Sequence, residues 1–293
     1  MKLSKSSMAF VQKAMANTED GAGLGFQEYV ESLMRRDVQP NIKNTRSRHP
    51  ALTVQELEWR TRFGWVSDWP NGWHLRGIAR RLATGDIAEF GKFMLMHVRQ
   101  AVLNHTSDDD EFTEVWPLLQ AIGIGDRLTV DSFVAVATFP MRTGHPDTRL
   151  IYNSVHKLLR AGATKPKAPK PAAGKRPAWL DGMILCLEGI FVGDPSRVAR
   201  GMEQHLDGYG KAQRINPLEK IVSLEAHGLY RLAERIDPNL VADCDTRRER
   251  PWDREFHDWS SHNEPVLAPK DFGSCPKPVA TAFASLKRPP WTE

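Results

Sequence analysis

Apolar residues recur at helical spacing along most of the chain. In the segment that follows Trp179 they share one stripe, formed by Leu180, Met183, Ile184, Leu187, Ile190 and Phe191. A similar stripe runs from Ile87 to Val102, and another runs from Leu218 to Ala233. Side chains three and four positions apart lie on the same face of an α-helix. We therefore predict an amphipathic helix over each of these three segments.

Prolines, glycines and acidic residues predict further helices. The segment HPDTRLIYNSVHKLLRAG should form a helix that begins near Pro146 and ends near Gly162. Three aspartates, 108–110, can stabilise the start of a following helix, because their negative charges interact with its positive N-terminal end. Pro117 should kink or shorten that helix. Alternating patterns typical of β-strands are nearly absent, and only DSFVAVATFP is β-branched enough to leave strand or helix open.

The dipeptide Gly-Asp occurs three times between apolar segments, as Gly85-Asp86, Gly125-Asp126 and Gly193-Asp194. Glycine can end a helix in the left-handed conformation, and aspartate can cap the next helix. RRLATGDIAEFGKFMLMHV and EGIFVGDPSRVARGMEQHL share this outline, either by duplication or because helix junctions often use Gly-Asp. We predict an all-α fold, built as an αα-hairpin helical bundle or a short helical-repeat array in two halves.

The segment 161–178 predicts a boundary. It contains four prolines and five basic residues with no acid: Lys165, Lys167, Lys170, Lys175 and Arg176. Such a stretch buries too little apolar surface to order itself, so we expect an extended, mobile linker. It divides an N-terminal helical part, 1–160, from a C-terminal helical part with an irregular tail, 179–293.

Charge and composition limit the partners. Without the five linker charges, the net charge of +4 becomes −1, so the folded body is close to neutral. A nucleic-acid-binding domain normally clusters basic residues on a folded face, so no nucleic-acid partner is expected. Apolar stretches are too short to span a membrane, and the N-terminus predicts an amphipathic helix, not a signal peptide. Cys186, Cys244 and Cys275 are too widely spaced for a zinc ribbon and fit a reducing compartment, so we expect a cytoplasmic protein.

Two residue clusters could carry a binding site. Trp59, Trp65, Trp69 and Trp73 form either an exposed aromatic platform or a set of core anchors, which we favour because tryptophan buries a large area. The histidines of REFHDWSSHNE and the acids around them could bind a metal only if three or four converged. We favour a polar surface for this second set, which comprises Asp253, Glu255, His257, Asp258, His262 and Glu264. No metal or cofactor is therefore predicted.

Glu225 lies within the apolar stripe that ends at Ala233, beside His227. A buried carboxylate must be paired, so we expect a salt bridge to Arg197 or Arg200 in preference to a catalytic base. The chain also lacks the phosphate-binding, dinucleotide-binding, hydrolase and kinase motifs that would indicate an enzyme.

The segment CDTRRERPWDREFHDW alternates acidic and basic residues around two tryptophans. This composition suits either a salt-bridge network or a protein-binding edge, because Trp and Arg dominate protein interfaces. Its candidate partner-binding residues are Arg247, Arg248, Arg250, Trp252, Asp253, Glu255, Asp258 and Trp259.

Residues 179–238 combine a helix, a Gly-Asp turn, a second helix, a polar loop and a helix that carries Glu-Ala-His and Leu-Tyr-Arg-Leu-Ala. This order resembles bacterial polymorphic-toxin immunity proteins, in particular the helical immunity protein 49 family. The resemblance implies a cytoplasmic protein that binds and neutralises a cognate toxin, encoded by the adjacent gene, in interbacterial competition. The alternatives are a helical-repeat scaffold for protein–protein interaction and an enzyme with an unfamiliar helical site.

Overall fold

The computed structural model describes residues 24–67, 72–104, 112–161, 174–213, 218–248 and 251–287, with positions 9 and 215. Over these residues the chain is helical without a β-strand, which confirms the all-α prediction. The α-helices are α1 (Phe26–Met34), α2 (Gln39–Arg48), α3 (Val54–Ser67), α4 (Trp73–Thr84), α5 (Ile87–Leu103), α6 (Trp116–Ile124), α7 (Arg127–Val136), α8 (Pro146–Arg160), α9 (Ala178–Val192), α10 (Pro195–Lys211), α11 (Leu224–Ile236), α12 (Arg254–His262) and α13 (Lys277–Ser285). Three short 3-10 helices lie at Glu219–Ile221, Pro238–Val241 and Pro269–Phe272. None of the described helices has the length and apolar character needed to cross a membrane.

The chain forms two compact units. The middle unit is formed by the described residues within Glu111–Glu264, and the terminal unit by the described residues within Leu3–Asp110 and Pro265–Glu293. These units do not follow the division predicted at 161–178, because α8 and α9 on either side of that segment both belong to the middle unit. Residues 162–173, and with them the predicted mobility, lie outside the described residues.

Specific contacts explain where the units divide. Arg176 Nε lies 2.6 Å from Asp147 Oδ1 on α8, so the end of the basic segment is fixed to the helix that precedes it. In the terminal unit, Arg99 Nη1 on α5 donates to the carbonyl of Phe283 at 2.8 Å. Lys92 Nζ on α5 also lies 2.7 Å from Asp271 Oδ1. The predicted irregular tail therefore contains a helix, α13, that packs on the N-terminal helices.

All three glycines of the Gly-Asp turns end a helix as predicted, and two of the three aspartates cap the next helix. Gly85, Gly125 and Gly193 end α4, α6 and α9 with φ values of +73°, +85° and +74°. Asp86 Oδ1 then accepts the amide hydrogen of Glu89 at 2.9 Å. Asp194 Oδ1 accepts that of Arg197 at 3.0 Å. The side chain of Asp126 makes no such bond to the backbone of α7 and accepts the Thr129 hydroxyl instead.

Three predicted segments differ in detail. The stripe from Leu218 is not one helix, because a 3-10 turn and two extended residues precede α11, which Ser223 caps. Pro117 occupies the first turn of α6, where its missing amide hydrogen costs nothing, so it begins that helix and does not kink it. The ambiguous DSFVAVATFP segment is helical up to Val136, extended at Ala137 and bent at residues 139–140.

Trp73 confirms the prediction of a core anchor, being only 2% exposed. Its ring contacts Tyr29, with centroids 4.9 Å apart, and Phe26 at 5.7 Å. Trp59 is half-buried, and the side chains of Trp65 and Trp69 lie outside the described residues.

Small residues set the spacing between helices of the middle unit. A Cβ atom on Gly201 of α10 would lie 2.3 Å from the amide nitrogen of Cys186 on α9. A Cβ atom on Gly228 of α11 would lie 2.0 Å from the carbonyl oxygen of Leu119 on α6. These helix pairs therefore pack backbone against backbone, and they form the framework that carries the candidate site.

Candidate protein-binding groove

A groove of about 210 Å³ lies in the middle unit between α10 and the loop 243–248. It adjoins the segment in which the sequence predicts partner binding. Its lining comprises Ala199, Arg200, Met202, Glu203, Leu206, Tyr230, Asp243, Cys244, Asp245, Thr246, Arg248 and Trp252.

The floor of the groove is apolar. Met202 and Leu206 lie one turn apart on α10, so both side chains point to the same face, and each is only 4% exposed. Tyr230 from α11 and Trp252 complete the floor and are also buried. The floor is thus the outer edge of the core of the middle unit.

Trp252 is held firmly in this floor. Its ring stacks on His227 with centroids 4.0 Å apart and an interplanar angle of 13°. The preceding carbonyl, of Pro251, accepts the amide hydrogen of Ser223 at 2.7 Å. Burial, with His257 nearby, holds the pKa of His227 well below its ordinary value, so the stacked imidazole is neutral. The position of Trp252 in the groove floor therefore does not depend on a charged histidine.

The loop 243–248 is attached to α10 on both sides of the groove. Ser196 Oγ donates to Asp243 Oδ2 at 3.2 Å, and Arg248 donates to Asp207 Oδ1. The bond to Arg248 holds the pKa of Asp207 below its ordinary value. Since residues 196 and 207 lie ~16 Å apart along a helix with a rise of 1.5 Å per residue, the two contacts bracket the opening. The groove is thus preformed.

Charged and polar groups form the rim. Arg200 and Glu203 come from α10, and Asp243 and Asp245 come from the loop. Cys244 lies between these two aspartates, and burial raises the pKa of its thiol to about 11. At neutral pH this thiol is protonated, so it offers a soft, uncharged contact and not a nucleophile.

The candidate partner-binding residues divide between core and surface. Arg248 and Trp252 line the groove. The polar surface position expected for Asp253 is wrong, since its side chain is 5% exposed, and Trp252 is 1% exposed. The structural reason is that Trp252 stacks in the core, while Asp253 Oδ1 caps α12 by accepting the amide hydrogen of Phe256 at 3.1 Å.

The remaining candidates lie along the surface of α12 and the loop before it. Arg247, Glu255 and Asp258 are exposed, and Trp259 is half-buried beside Phe256. Asp258 Oδ2 lies 3.6 Å from Arg254 Nε, an ion pair one helical turn apart. Arg250 lies outside the described residues. The segment therefore contains local ion pairs as well as an exposed edge, and the partner-binding role of its residues stays a prediction.

Sequence reasoning identified only two of the twelve residues that line the groove, Arg248 and Trp252. Met202, Leu206 and Tyr230 lie on apolar stripes and are indistinguishable from ordinary core residues by spacing alone. Asp245 belongs to the charged segment and Asp243 directly precedes it, but neither is among the candidate partner-binding residues. Only the path of the loop over α10 brings these two sets together.

The expected salt bridge of Glu225 is wrong. Arg197 Nε lies 3.7 Å from Asp194, and Arg200 Nε donates to the carbonyl of Ser196. Glu225 faces α6 instead, where its Oε1 accepts a hydrogen bond from Gln120 at 2.7 Å. The reason is that α11 packs closely on α6, and Glu225 lies on the face of α11 that meets α6.

The histidines near the C-terminus do not converge with acids into a metal site. His257 is half-buried beside Tyr230, and His262 Nδ1 lies 2.9 Å from the carbonyl of Asp258. Throughout the described ranges, no three His, Cys, Asp or Glu side chains are placed to hold a metal ion.

Comparison with family models, with characterised proteins and with solved structures gives no match to this chain.

Proposed function

We propose that this chain is an immunity protein that neutralises a cognate toxin by binding it, and that the groove and its rim form the binding surface. The observation that supports this proposal is the preformed groove beside the predicted segment, with Trp252 and Tyr230 in an apolar floor and charged groups around it. Protein interfaces have this composition, with an apolar centre rich in aromatic residues and a polar rim.

The charge of the rim favours one kind of partner surface. Glu203, Asp243 and Asp245 outnumber Arg200, while the positive charge of Arg248 is balanced by Asp207 outside the groove. Complementary potentials steer association and exclude wrong partners. The partner is accordingly expected to present a basic or arginine-bearing projection to this groove.

The identity of the partner as a toxin rests on the resemblance of residues 179–238 to immunity proteins. Binding alone accounts for neutralisation if the complex covers the active site of the toxin or the path to it. The alternative of a helical-repeat scaffold predicts an extended peptide along a concave surface. A groove of about 210 Å³ instead suits a single projection from a folded partner.

Co-expression with the product of the neighbouring gene tests the proposed function. Cells that produce this toxin should survive when the chain is present, and affinity purification should recover both proteins as one complex. Death of the cells despite full expression of the folded chain would exclude neutralisation of that toxin. Recovery of a complex without survival would favour the scaffold.

A further inference from the structure

A line of hydrogen-bonding groups crosses the core of the middle unit, and none of its members lines the groove. Gln120 Nε2 on α6 donates to Glu225 Oε1 at 2.7 Å, and Glu225 Oε2 lies 3.3 Å from Ser223 Oγ. Ser223 Oγ lies 2.9 Å from His205 Nε2 on α10. His205 Nδ1 lies 2.9 Å from the carbonyl of Trp179 on α9. All four side chains are buried, and those of Ser223 and His205 are 0% exposed.

The direction of these bonds can be assigned from the carbonyl end. A carbonyl oxygen only accepts, so His205 must carry a hydrogen on Nδ1. Burial lowers the pKa of His205 to about 4, so the ring carries no second hydrogen at neutral pH. Its Nε2 is therefore an acceptor, and the Ser223 hydroxyl donates to it.

The hydroxyl of Ser223 has then used its one hydrogen. Its oxygen also accepts the amide hydrogen of Ala226 at 3.2 Å, as the cap of α11. Toward Glu225 the oxygen can only accept, so the hydrogen between them must belong to the carboxyl group. An ionised Glu225 would place two acceptor atoms against each other in a buried site, which is costly.

We infer that Glu225 is a neutral carboxylic acid in the folded protein at neutral pH, and that its proton closes a pH-sensitive latch between α6, α9, α10 and α11. This arrangement places no net charge in the core. Glu225, Ser223 and His205 each donate one hydrogen bond along the line and accept at least one. Removal of that proton breaks the line at Ser223.

The surroundings of Glu225 support the neutral form. Burial raises the pKa of its carboxyl group, and this effect outweighs the hydrogen bonds from its own backbone amide, Gln120 and Ser223, which lower it. Glu219 in the neighbouring 3-10 helix raises the pKa further. Tyr209 and His205 are the titratable groups that α10 turns toward it. α6 contributes the amide of Gln120, and the carbonyl of Trp179 on α9 contacts His205. The 3-10 helix Pro238–Val241, which packs on α11, contains no titratable side chain. None of these partners carries a positive charge.

The same heavy atoms allow one competing arrangement. A doubly protonated His205 could donate to Ser223, which would donate to an ionised Glu225. That arrangement buries two charges, whereas the neutral arrangement buries none. The two arrangements predict opposite effects of pH and of an isosteric amide.

The latch makes folding depend on pH in a definite direction. The unfolded chain loses the Glu225 proton near the ordinary pKa of 4.5, whereas the folded chain keeps it to higher pH. Above pH 4.5 the folded state therefore binds more protons than the unfolded state. Stability then falls as pH rises toward the folded-state pKa, and the full stabilisation is present below the unfolded value.

The variant Glu225→Gln tests the latch because its amide keeps both hydrogen bonds, with the oxygen accepting from Gln120 and the nitrogen donating to Ser223. We expect the urea midpoint of the wild-type protein to fall from about pH 5 to about pH 9 more steeply than that of the variant. At about pH 8 the unfolding equilibrium constant of the variant should equal or lie below that of the wild type. An equilibrium constant raised ~100-fold by the variant would overturn the neutral latch in favour of the ion pair.

Infrared spectroscopy supplies a measurement that does not depend on stability. At neutral pH the wild-type minus Glu225→Gln difference spectrum should contain the carbonyl stretch of a protonated carboxylic acid. The matched control Glu219→Gln, at a half-buried carboxyl group of the same region, should leave that band in place. A carboxylate band lost with Glu225→Gln in place of the acid band would contradict the inference.

Discussion

At the scale of single residues, the middle unit depends on buried histidines that stay neutral. His156 on α8 is 0% exposed, and neither ring nitrogen has a hydrogen-bond partner. Its ring contacts Tyr152 at 4.3 Å, and burial together with the nearby Arg160 lowers its pKa to about 4. Such environments could not be predicted from the sequence, because helical spacing shows which face a residue occupies but not what lies opposite. The expected Arg197 or Arg200 partner of Glu225 was wrong for the same reason.

We predict that His156→Phe reduces the loss of stability in acid. The unfolded chain binds a proton at this histidine below about pH 6.5, whereas the folded chain stays neutral down to about pH 4, so acid favours unfolding. Between these two pH values the free energy of unfolding should fall by about 3 kcal/mol on account of this histidine, at 1.36 kcal/mol for each unit of pKa difference. Urea unfolding at several pH values measures it. The exposed His262→Phe should leave the acid limb unchanged, and an identical acid limb in His156→Phe would refute the prediction.

At the scale of helices, local chemistry made much of the fold predictable. The three Gly-Asp turns could be predicted because the glycine of each, and the aspartate of two of them, act on the backbone within a few residues of themselves. The start of α11 was missed, although Ser223 is a favoured capping residue, because apolar positions from Leu218 continued the stripe through an extended segment. The spacing of apolar residues alone cannot distinguish an α-helix from a buried 3-10 turn that directly precedes one.

The contact between α9 and α10 gives a prediction at this scale. Gly201→Ala should destabilise the middle unit by about 1–3 kcal/mol, because the new methyl group would meet the backbone of Cys186 and force the helices apart. Gly210→Ala is the matched control on the same helix, since open space surrounds that position. There alanine should be neutral or stabilising by up to ~1 kcal/mol. Equal effects of the two substitutions on the urea midpoint would show that the close approach is unimportant.

At the scale of the whole molecule, the division into units was outside the reach of the sequence. The proline-rich segment 161–178 predicted a boundary by composition, yet α8 and α9 belong to one unit. The bond between Arg99 and the Phe283 carbonyl joins positions 184 residues apart, and no local pattern records such a contact. Likewise, the groove exists only because the loop 243–248 returns over α10.

The affinity of a groove-filling variant for the toxin tests the central proposal most directly. Ala199 lines the groove and is half-buried, so an indole at this position should occupy the space without removing a core side chain. We predict that Ala199→Trp weakens toxin binding by at least ~10-fold, about 1.4 kcal/mol, with an unchanged urea midpoint. Ala135→Trp, at an exposed position of α7, should bind like the wild type. Wild-type affinity in a folded Ala199→Trp variant would contradict the assignment of the groove as the binding surface.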